Sequence, residues 1–406
     1  RIKALWIACT NPAVSMPDAD EVRAAIKACD FVVVSDITAE TDTARLADVL
    51  LPATGWAEKD GTVTNSDRTI SRQRAVLPKP GAARHDWELF AQVGQRMGWH
   101  AAFDFMSPAQ VFREHAALSE ITGKQGLDFD ISGLAEINDA EYEALAPVRW
   151  PVSAAQKGGR FFGDGAFFTP DGRARMLAVQ HRSPAVKRTA KFPYRLNTGR
   201  VREQWHTMTR TGLTPRLSKH LAEPFLQIHP QDADDLGLQP ADLARVTSPV
   251  GSAILRVLIS DDVAPGTPFA PMHWTGENAP CARVDAVVEA TIDPVSGQPE
   301  SKASVVAISR FAPAWYGFAV ATHSPKADTD YWARTRCEGG WRMELADTTQ
   351  PDDWASYART LFGSTSEPQM LTDANGTTSC AFVHEDGSLL AALFVAPAPV
   401  SVARDL

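Results

Sequence analysis

Over the first hundred residues, short apolar runs alternate with stretches whose apolar positions recur at helical spacing. Residues 4–9, Ala-Leu-Trp-Ile-Ala-Cys, read as a buried strand, and Asn11-Pro12 turns the chain after it. Asp18 with Glu21 three residues later has the form of a capping box, followed by Val22, Ala25, Ile26 and Cys29 on one helical face. Phe31-Val-Val-Val-Ser35 is apolar without interruption, as strands covered on both faces of a parallel sheet are. Residues 40–47 read as a short helix, 48–52 as a third strand and 86–97 as another helix. This alternation predicts a doubly wound α/β unit, whose strand ends at Asn11 and Ser35-Asp36 lie where such sheets bind nucleotides.

The pattern then changes. Residues 103–120 read as a helix, and Gly158-Gly-Arg-Phe-Phe-Gly-Asp-Gly-Ala-Phe-Phe168 as a hairpin or loop. From 191 to 310 the chain is β-rich, with one short helix at 230–236. Period-two alternation is plain at 243–248 and 253–259, which Pro249-Val-Gly-Ser252 joins, and this spacing predicts a small closed barrel. Residues 311–406 read as a further α+β segment containing Trp315, Trp332, Trp341 and Trp354. The expected domains are therefore 1–190, 191–310 and 311–406.

Composition narrows the function. A chain of 406 residues, 44% hydrophobic and 22% charged, is that of a globular protein with two or three cores. Its net charge of −9 argues against nucleic acid as a partner, and no run approaches the about 18 apolar residues of a membrane span. The five cysteines, Cys9, Cys29, Cys281, Cys337 and Cys380, are scattered, without a Cys-x-x-Cys or His-Glu-x-x-His motif. They read as free thiols in a reducing compartment, Cys9 and Cys29 within the core, and no protein-held metal is expected.

The densest chemistry lies at Thr198-Gly-Arg-Val-Arg-Glu-Gln-Trp-His-Thr207. Gly199 admits a close backbone approach, Thr198 offers a hydroxyl, and Arg200 and Arg202 offer planar forks of donors suited to phosphate. With Trp205 and His206 alongside, the stretch points to a large, flat, phosphorylated ligand. An ordinary charged turn is the alternative.

Taken together, these segments resemble the molybdopterin-guanine-dinucleotide oxidoreductases (the DMSO reductase superfamily). Within that family they are most similar to the catalytic subunits of bacterial assimilatory nitrate reductases. The resemblance covers roughly residues 1–310 and implies a Rossmann-like α/β domain followed by a double-psi β-barrel, plus the small α+β segment at the C-terminal end. It also implies a molybdenum bis(molybdopterin guanine dinucleotide) cofactor. Asn11 corresponds to the family's strand-end asparagine, and Ser35-Asp36 to the guanine-binding strand end, where a carboxylate accepts from both guanine N–H groups. Ala47-Asp-Val-Leu-Leu-Pro-Ala53 leads into Trp56-Ala-Glu-Lys-Asp-Gly-Thr-Val-Thr-Asn65, in which Lys59 is the phosphate- or ribose-facing lysine. Asp86 is an acid at a helix start that contacts the nucleotide. In the barrel, Thr198, Gly199, Arg200, Val201, Gln204, Trp205, His206 and Thr207 form the cradling loop. Pro271-Met-His-Trp274, with His273 and Trp274, and Asp293-Pro-Val-Ser-Gly-Gln-Pro-Glu-Ser-Lys302, with Lys302, complete the cofactor-facing loops. His229 to Gly237 is the barrel's helix lead-in and is structural.

Two departures accompany the resemblance. Asp285, in Ala282-Arg-Val-Asp285, stands where relatives usually have Asn. The family's N-terminal cysteine cluster, which holds an iron–sulfur (4Fe-4S) group, has no counterpart here, so the chain reads as a C-terminal fragment. The resemblance implies a cytoplasmic enzyme that reduces nitrate to nitrite with an electron-donor protein or reductase subunit as partner. No residue stands out as its acid or base, and His206, Thr207 and Arg210 are the candidates to line an anion path. A formate dehydrogenase or periplasmic-type nitrate reductase shares the scaffold, and a non-catalytic nucleotide-binding module is the reading from another class.

Overall fold

The first apolar run forms β1 (Ala4–Ala8). It stops before Cys9, whose φ of 62° turns it outward, so Cys9 is exposed and Cys29 only half-buried, contrary to the expected core positions. After α1 (Pro12–Ser15), Asp18 stands at the N-cap of α2 (Ala19–Lys27). Its φ of 51° puts it in the left-handed region and its side chain makes no capping bond, so the expected capping box does not form. Asp20 and Glu21 in the first turn and Lys27 in the last still favour the helix through its dipole. Two further strands, β2 (Phe31–Asp36) and β3 (Val49–Pro52), complete a sheet in the order β1-β2-β3.

The helix expected over 40–47 is absent, and only a 3-10 turn forms at Ala44–Leu46. The cause is the buried polar run Thr41, Asp42 and Thr43, 4%, 3% and 0% exposed. Thr43 donates its N–H (3.2 Å) and its hydroxyl (2.6 Å) to Asn11 Oδ1, and Asp42 takes the Arg23 guanidinium at 2.7 Å. Polar side chains that find such partners compete with helical backbone bonding.

The computed structural model describes residues 2–125, 127–374 and 376–401, divided between two compact units. The first takes the chain through Val34, Thr38–Val49, and Ser183 onward; the second takes Ser35–Ile37 and Leu50–Arg182.

The second unit contains β4 (Gly61–Thr64), β5 (Thr69–Gln73), α3 (Asp86–Arg96), α4 (Pro108–Lys124), α5 (Asp139–Glu143) and β6 (Val148–Arg149). Its sheet is antiparallel in the order β4-β5-β6. Helix α4 starts later than the 103–120 reading because Ser107 caps it, accepting from Gln110 N–H, with Pro108 in the first turn. Ile70, Phe112, Ala116, Ile131, Tyr142 and Val152 form the core of this unit. The stretch 158–168 carries no strand, and its phenylalanines pack on one another, Phe162 and Phe167 at 4.9 Å.

The rest of the first unit begins with β7 (Tyr194–Gly199), α6 (Pro215–Ser218), β8 (Phe225–Ile228) and α7 (Pro230–Leu236). It continues with β9 (Leu243–Thr247), β10 (Ser252–Ile259), β11 (Phe269–Pro271) and β12 (Ser304–Phe311). The six strands close into a barrel in the order β10-β8-β11-β7-β12-β9. Inward residues such as Leu196, Leu226, Val246, Leu255 and Val306 are fully or almost fully buried. Each contributes about 1.5–3 kcal/mol of transfer free energy.

Residues beyond 311 build β13 (Trp315–Ala321), β14 (Tyr331–Cys337), β15 (Gly340–Asp347), α8 (Trp354–Phe362), β16 (Gln369–Thr372), β17 (Thr378–Val383) and β18 (Leu389–Ala396). The strands form an antiparallel sheet in the order β14-β15-β13-β18-β17-β16. Tyr316, Phe318 and Tyr331 join the core of the barrel. An ionic cluster anchors the join: Arg256 on β10 bonds both oxygens of Glu223 (3.1 Å), whose Oε2 also accepts the Tyr331 hydroxyl at 2.6 Å. Burial alone would depress the Arg256 guanidinium, but Glu223 and Glu344 beside it hold its pKa above the ordinary value.

Candidate functional site

Strands β7 and β11 run parallel, with Gly199 opposite Pro271, so the loops that leave their carboxyl ends are neighbours. The first carries Arg200 to Thr207, the second Met272 to Asn278. Met272 N–H donates to Gly199 O at 3.0 Å and seals the two loops at their base. Residue 199 has to be small: a Cβ there would sit 2.7 Å from the Phe269 ring. Thr198 donates its hydroxyl to Ser301 O at 2.7 Å, and Lys302 Nζ donates to Thr198 O. The 293–302 segment is thereby tied to the same strand end.

His273 is fully buried and both of its ring nitrogens are used by the first loop. Nε2 accepts from Val201 N–H at 3.0 Å, and Nδ1, 2.7 Å from His206 O, must be the protonated nitrogen, since a carbonyl can only accept. Burial lowers its pKa, and the charges of Arg200 and His206 act in the same direction, against the His206 carbonyl. His273 therefore has no ring nitrogen left for a ligand, a correction to its reading as a direct contact. The loop it grips is strained, with φ of 46° at His206 and 63° at Met208. Arg200 lies over the Trp205 ring at 5.0 Å, and Trp205, His206 and Arg210 face solvent.

Several polar atoms at this place are buried without a protein partner: both amide atoms of Gln204 and the indole Nε1 of Trp274. Gln204 is 4% and Trp274 1% exposed, a costly arrangement unless a ligand completes it. Asn11 Nδ2 and Asp42 Oδ1 are in the same position. Asp42 Oδ2 also accepts the Gly276 amide at 3.1 Å, which links the end of β1 to the loop after Trp274. Neither Asp42 nor the threonines beside it stood out in the sequence; the signal was a run of three polar residues inside an otherwise amphipathic segment. Asp285 is 7% exposed in the turn Val284–Val287, and burial pushes its carboxyl up to about 7 against the pull of Lys302 and Arg283.

The remaining predicted residues belong to the second unit. Ser35 is buried, and Asp36 Oδ1 accepts the Ile37 amide at 2.7 Å. Lys59 Nζ and Asp86 Oδ2 pair at 3.3 Å, with Asp86 opening α3, while Asp86 Oδ1 is buried without a partner. The acid sits where a helix N-terminus favours negative charge.

The unpartnered atoms of the first unit, on Asn11, Asp42, Gln204 and Trp274, leave donors and acceptors that a polar heteroaromatic ligand can complete. Among the described residues, no group of three or more His, Cys, Asp or Glu is placed to hold a metal ion, and no helix is long and apolar enough to cross a membrane.

Residues 1–96 match the family described as Molybdopterin oxidoreductase, and residues 194–305 match the Molydopterin dinucleotide binding domain. The chain is 44% identical over 354 residues to a nitrate reductase of Klebsiella oxytoca, covering 87% of this chain and 40% of that protein. It is 32% identical over 312 residues to the F420-dependent formate dehydrogenase subunit alpha of Methanocaldococcus jannaschii, covering 76% of this chain and 43% of the other. The structure of acetylene hydratase from Pelobacter acetylenicus shares the fold at a TM-score of 0.58 and 18% identity, covering 76% of this chain and 44% of the other. The chain thus spans about two fifths of the length of the relatives it matches. It belongs to the molybdopterin oxidoreductase family and carries that family's dinucleotide-binding domain.

Proposed function

We propose that this chain is the dinucleotide-binding part of a molybdenum nitrate reductase that converts nitrate to nitrite. In this reading residues 1–190 are the Rossmann-like domain and 191–310 a double-psi barrel. Ser35, Asp36, Lys59 and Asp86 are assigned to binding guanosine. Asn11, the 198–207 loop, Trp274, Asp285 and Lys302 are assigned to binding pterin and phosphate. When bound, the molybdenum centre supplies two-electron oxygen-atom transfer. The chain's own residues bind and orient: Arg200 and Lys302 neutralise phosphate, Gln204 and Trp274 direct hydrogen bonds, and His206, Thr207 and Arg210 face the route an anion takes. An iron–sulfur cluster elsewhere in the polypeptide and an electron-donor protein of the cytoplasm complete the scheme.

The observation that carries this reading is the Gln204 side chain, 4% exposed with neither amide atom partnered, in a loop at the carboxyl ends of two parallel barrel strands. The sequence relationship to a formate dehydrogenase subunit supports oxidation of formate on the same scaffold as the second reading. Two measurements test the proposal. The chain, expressed in a host that makes the dinucleotide, is expected to release GMP on acid hydrolysis. A chimera in which it replaces the matching part of the Klebsiella enzyme is expected to oxidise reduced methyl viologen with nitrate. Formate oxidation without nitrate reduction selects the second reading, and no GMP overturns both.

A further inference from the structure

We propose that His273 is the positioning residue of the 200–207 loop, a clasp that sets the loop's shape before any ligand arrives. The imidazole bridges two backbone points five residues apart, accepting from Val201 N–H at 3.0 Å and donating to His206 O at 2.7 Å. Those bonds fix both ends of a stretch whose middle is held by turn contacts, Gln204 N–H to Val201 O at 3.4 Å and Trp205 N–H to the Thr211 hydroxyl at 3.2 Å. It contains no regular helix or strand, the side-chain amide of Gln204 is buried without a protein partner, and His206 and Met208 both adopt positive φ. Non-glycine residues keep such angles only where their surroundings over-determine them. For His206 one such determinant is a fully buried ring just beyond the end of β11, itself held in register by the parallel pairing with β7.

The geometry admits one protonation state. Nδ1 must carry the proton to reach the His206 carbonyl, and Nε2 must stay bare to accept from Val201. A second proton on Nε2 would point at the Val201 N–H and expel it. No other side chain offers a donor and an acceptor on a rigid ring at this spacing. Phe at 273 would fill the volume and lose both bonds, while Gln would keep a single polar end. Gln204 lies between the two clasped points and Arg200 immediately precedes the first, so their aim depends on His273 although His273 touches no ligand. For what the loop holds, this inference rests on the dinucleotide reading; for how the loop is held, it does not.

The test uses the 406-residue chain. Nitrogen NMR of the side chain is expected to show His273 neutral and protonated on Nδ1 across the neutral pH range. In His273→Phe, amides 201–207 are expected to exchange about ten-fold faster or more, the loss of one to two hydrogen bonds. Exchange in β8, β9 and β10 stays unchanged, and His273→Gln recovers part of the protection. Pyrophosphate, the probe of the loop's ligand, binds the Phe variant about ten-fold more weakly. An Nε2-protonated ring overturns the proposal, as does unaltered loop exchange in His273→Phe or a loss spread evenly over the barrel. Wild-type chain that shows the expected ring and loop behaviour but no pyrophosphate binding sustains the clasp and overturns the dinucleotide reading instead.

Discussion

Lys59 Nζ lies 3.3 Å from Asp86 Oδ2, so two residues assigned to one nucleotide are already each other's partner. Both side chains keep some solvent contact, at 32% and 22% exposure, which limits the Coulombic value of the pair. The second oxygen of Asp86 is buried and unpartnered. The pair thus occupies one oxygen of the acid and leaves the other without a protein partner.

Lys59→Ala should therefore separate binding from stability. We expect the unfolding free energy to change by less than about 1 kcal/mol, as for partly exposed pairs. GDP affinity should fall about ten-fold or more, the value of a charge-assisted bond to phosphate. Calorimetric titration with GDP alongside urea unfolding checks both. Equal affinity in the variant would remove Lys59 from the site.

Asp285 carries a pH signature opposite to that of an ordinary carboxylate. Burial raises its pKa from 3.8 to about 7, so the folded state holds a proton that the unfolded chain has released. Stability from this group is fully present below about pH 4 and is lost as pH rises through about 7. Asp285→Asn escapes that loss. The variant should match wild type near pH 4 and exceed it at pH 8 by on the order of 3 kcal/mol. Urea midpoints at the two pH values decide the matter, and a variant less stable at pH 8 would refute the burial argument.

What the sequence disclosed depended on how local the cause was. Helix α7 was legible residue for residue because Pro230 starts it and Gly237, at φ 64°, ends it. The β9–β10 hairpin was legible because period-two alternation flanks a short turn. The helix expected over 40–47 failed for a remote reason, the bonds from Thr43 to Asn11 and from Asp42 to Arg23 and Gly276. Residues 311–406 read only as α+β because β13 takes its partners from β15 and β18, and no local pattern encodes those pairings. In the site, the phosphate-suited chemistry of 198–207 was visible as residue types. That His273 spends both nitrogens on the loop, and that Lys59 faces Asp86, are facts of three-dimensional pairing.

The join between the barrel and the C-terminal sheet should be sensitive to single charge removal. Glu223 is the shared partner of Arg256 and Tyr331, and Arg256 is 12% exposed. Glu223→Ala leaves the buried guanidinium with only the more distant Glu344, 3.8 Å away, as countercharge, and should cost up to about 3–5 kcal/mol. Replacing the pair together, Glu223→Leu with Arg256→Met, should cost much less, because the desolvation penalty disappears with the charges. Urea denaturation of the three proteins gives the comparison. A single variant within about 1 kcal/mol of wild type would mean the cluster contributes no more than an exposed pair.

Gly276 offers a sharper probe of the link between the end of β1 and the loop after Trp274. A Cβ at this position would lie 2.6 Å from Asp42 Oδ2. Asp42 has little freedom to retreat, because the same oxygen takes Arg23 at 2.7 Å and the side chain is 2% exposed. Gly276→Ala should therefore push the carboxylate off the residue-276 amide and weaken its pairing with Arg23. The expected cost is about 1–3 kcal/mol, from an orphaned, partly buried donor and a displaced buried charge. Asp42→Ala in the same background should then add less than it does alone, since the two changes break one contact. A double-mutant cycle read by urea unfolding measures that coupling. Strict additivity would show that Gly276 and Asp42 act independently and that the loop is held in place by other contacts.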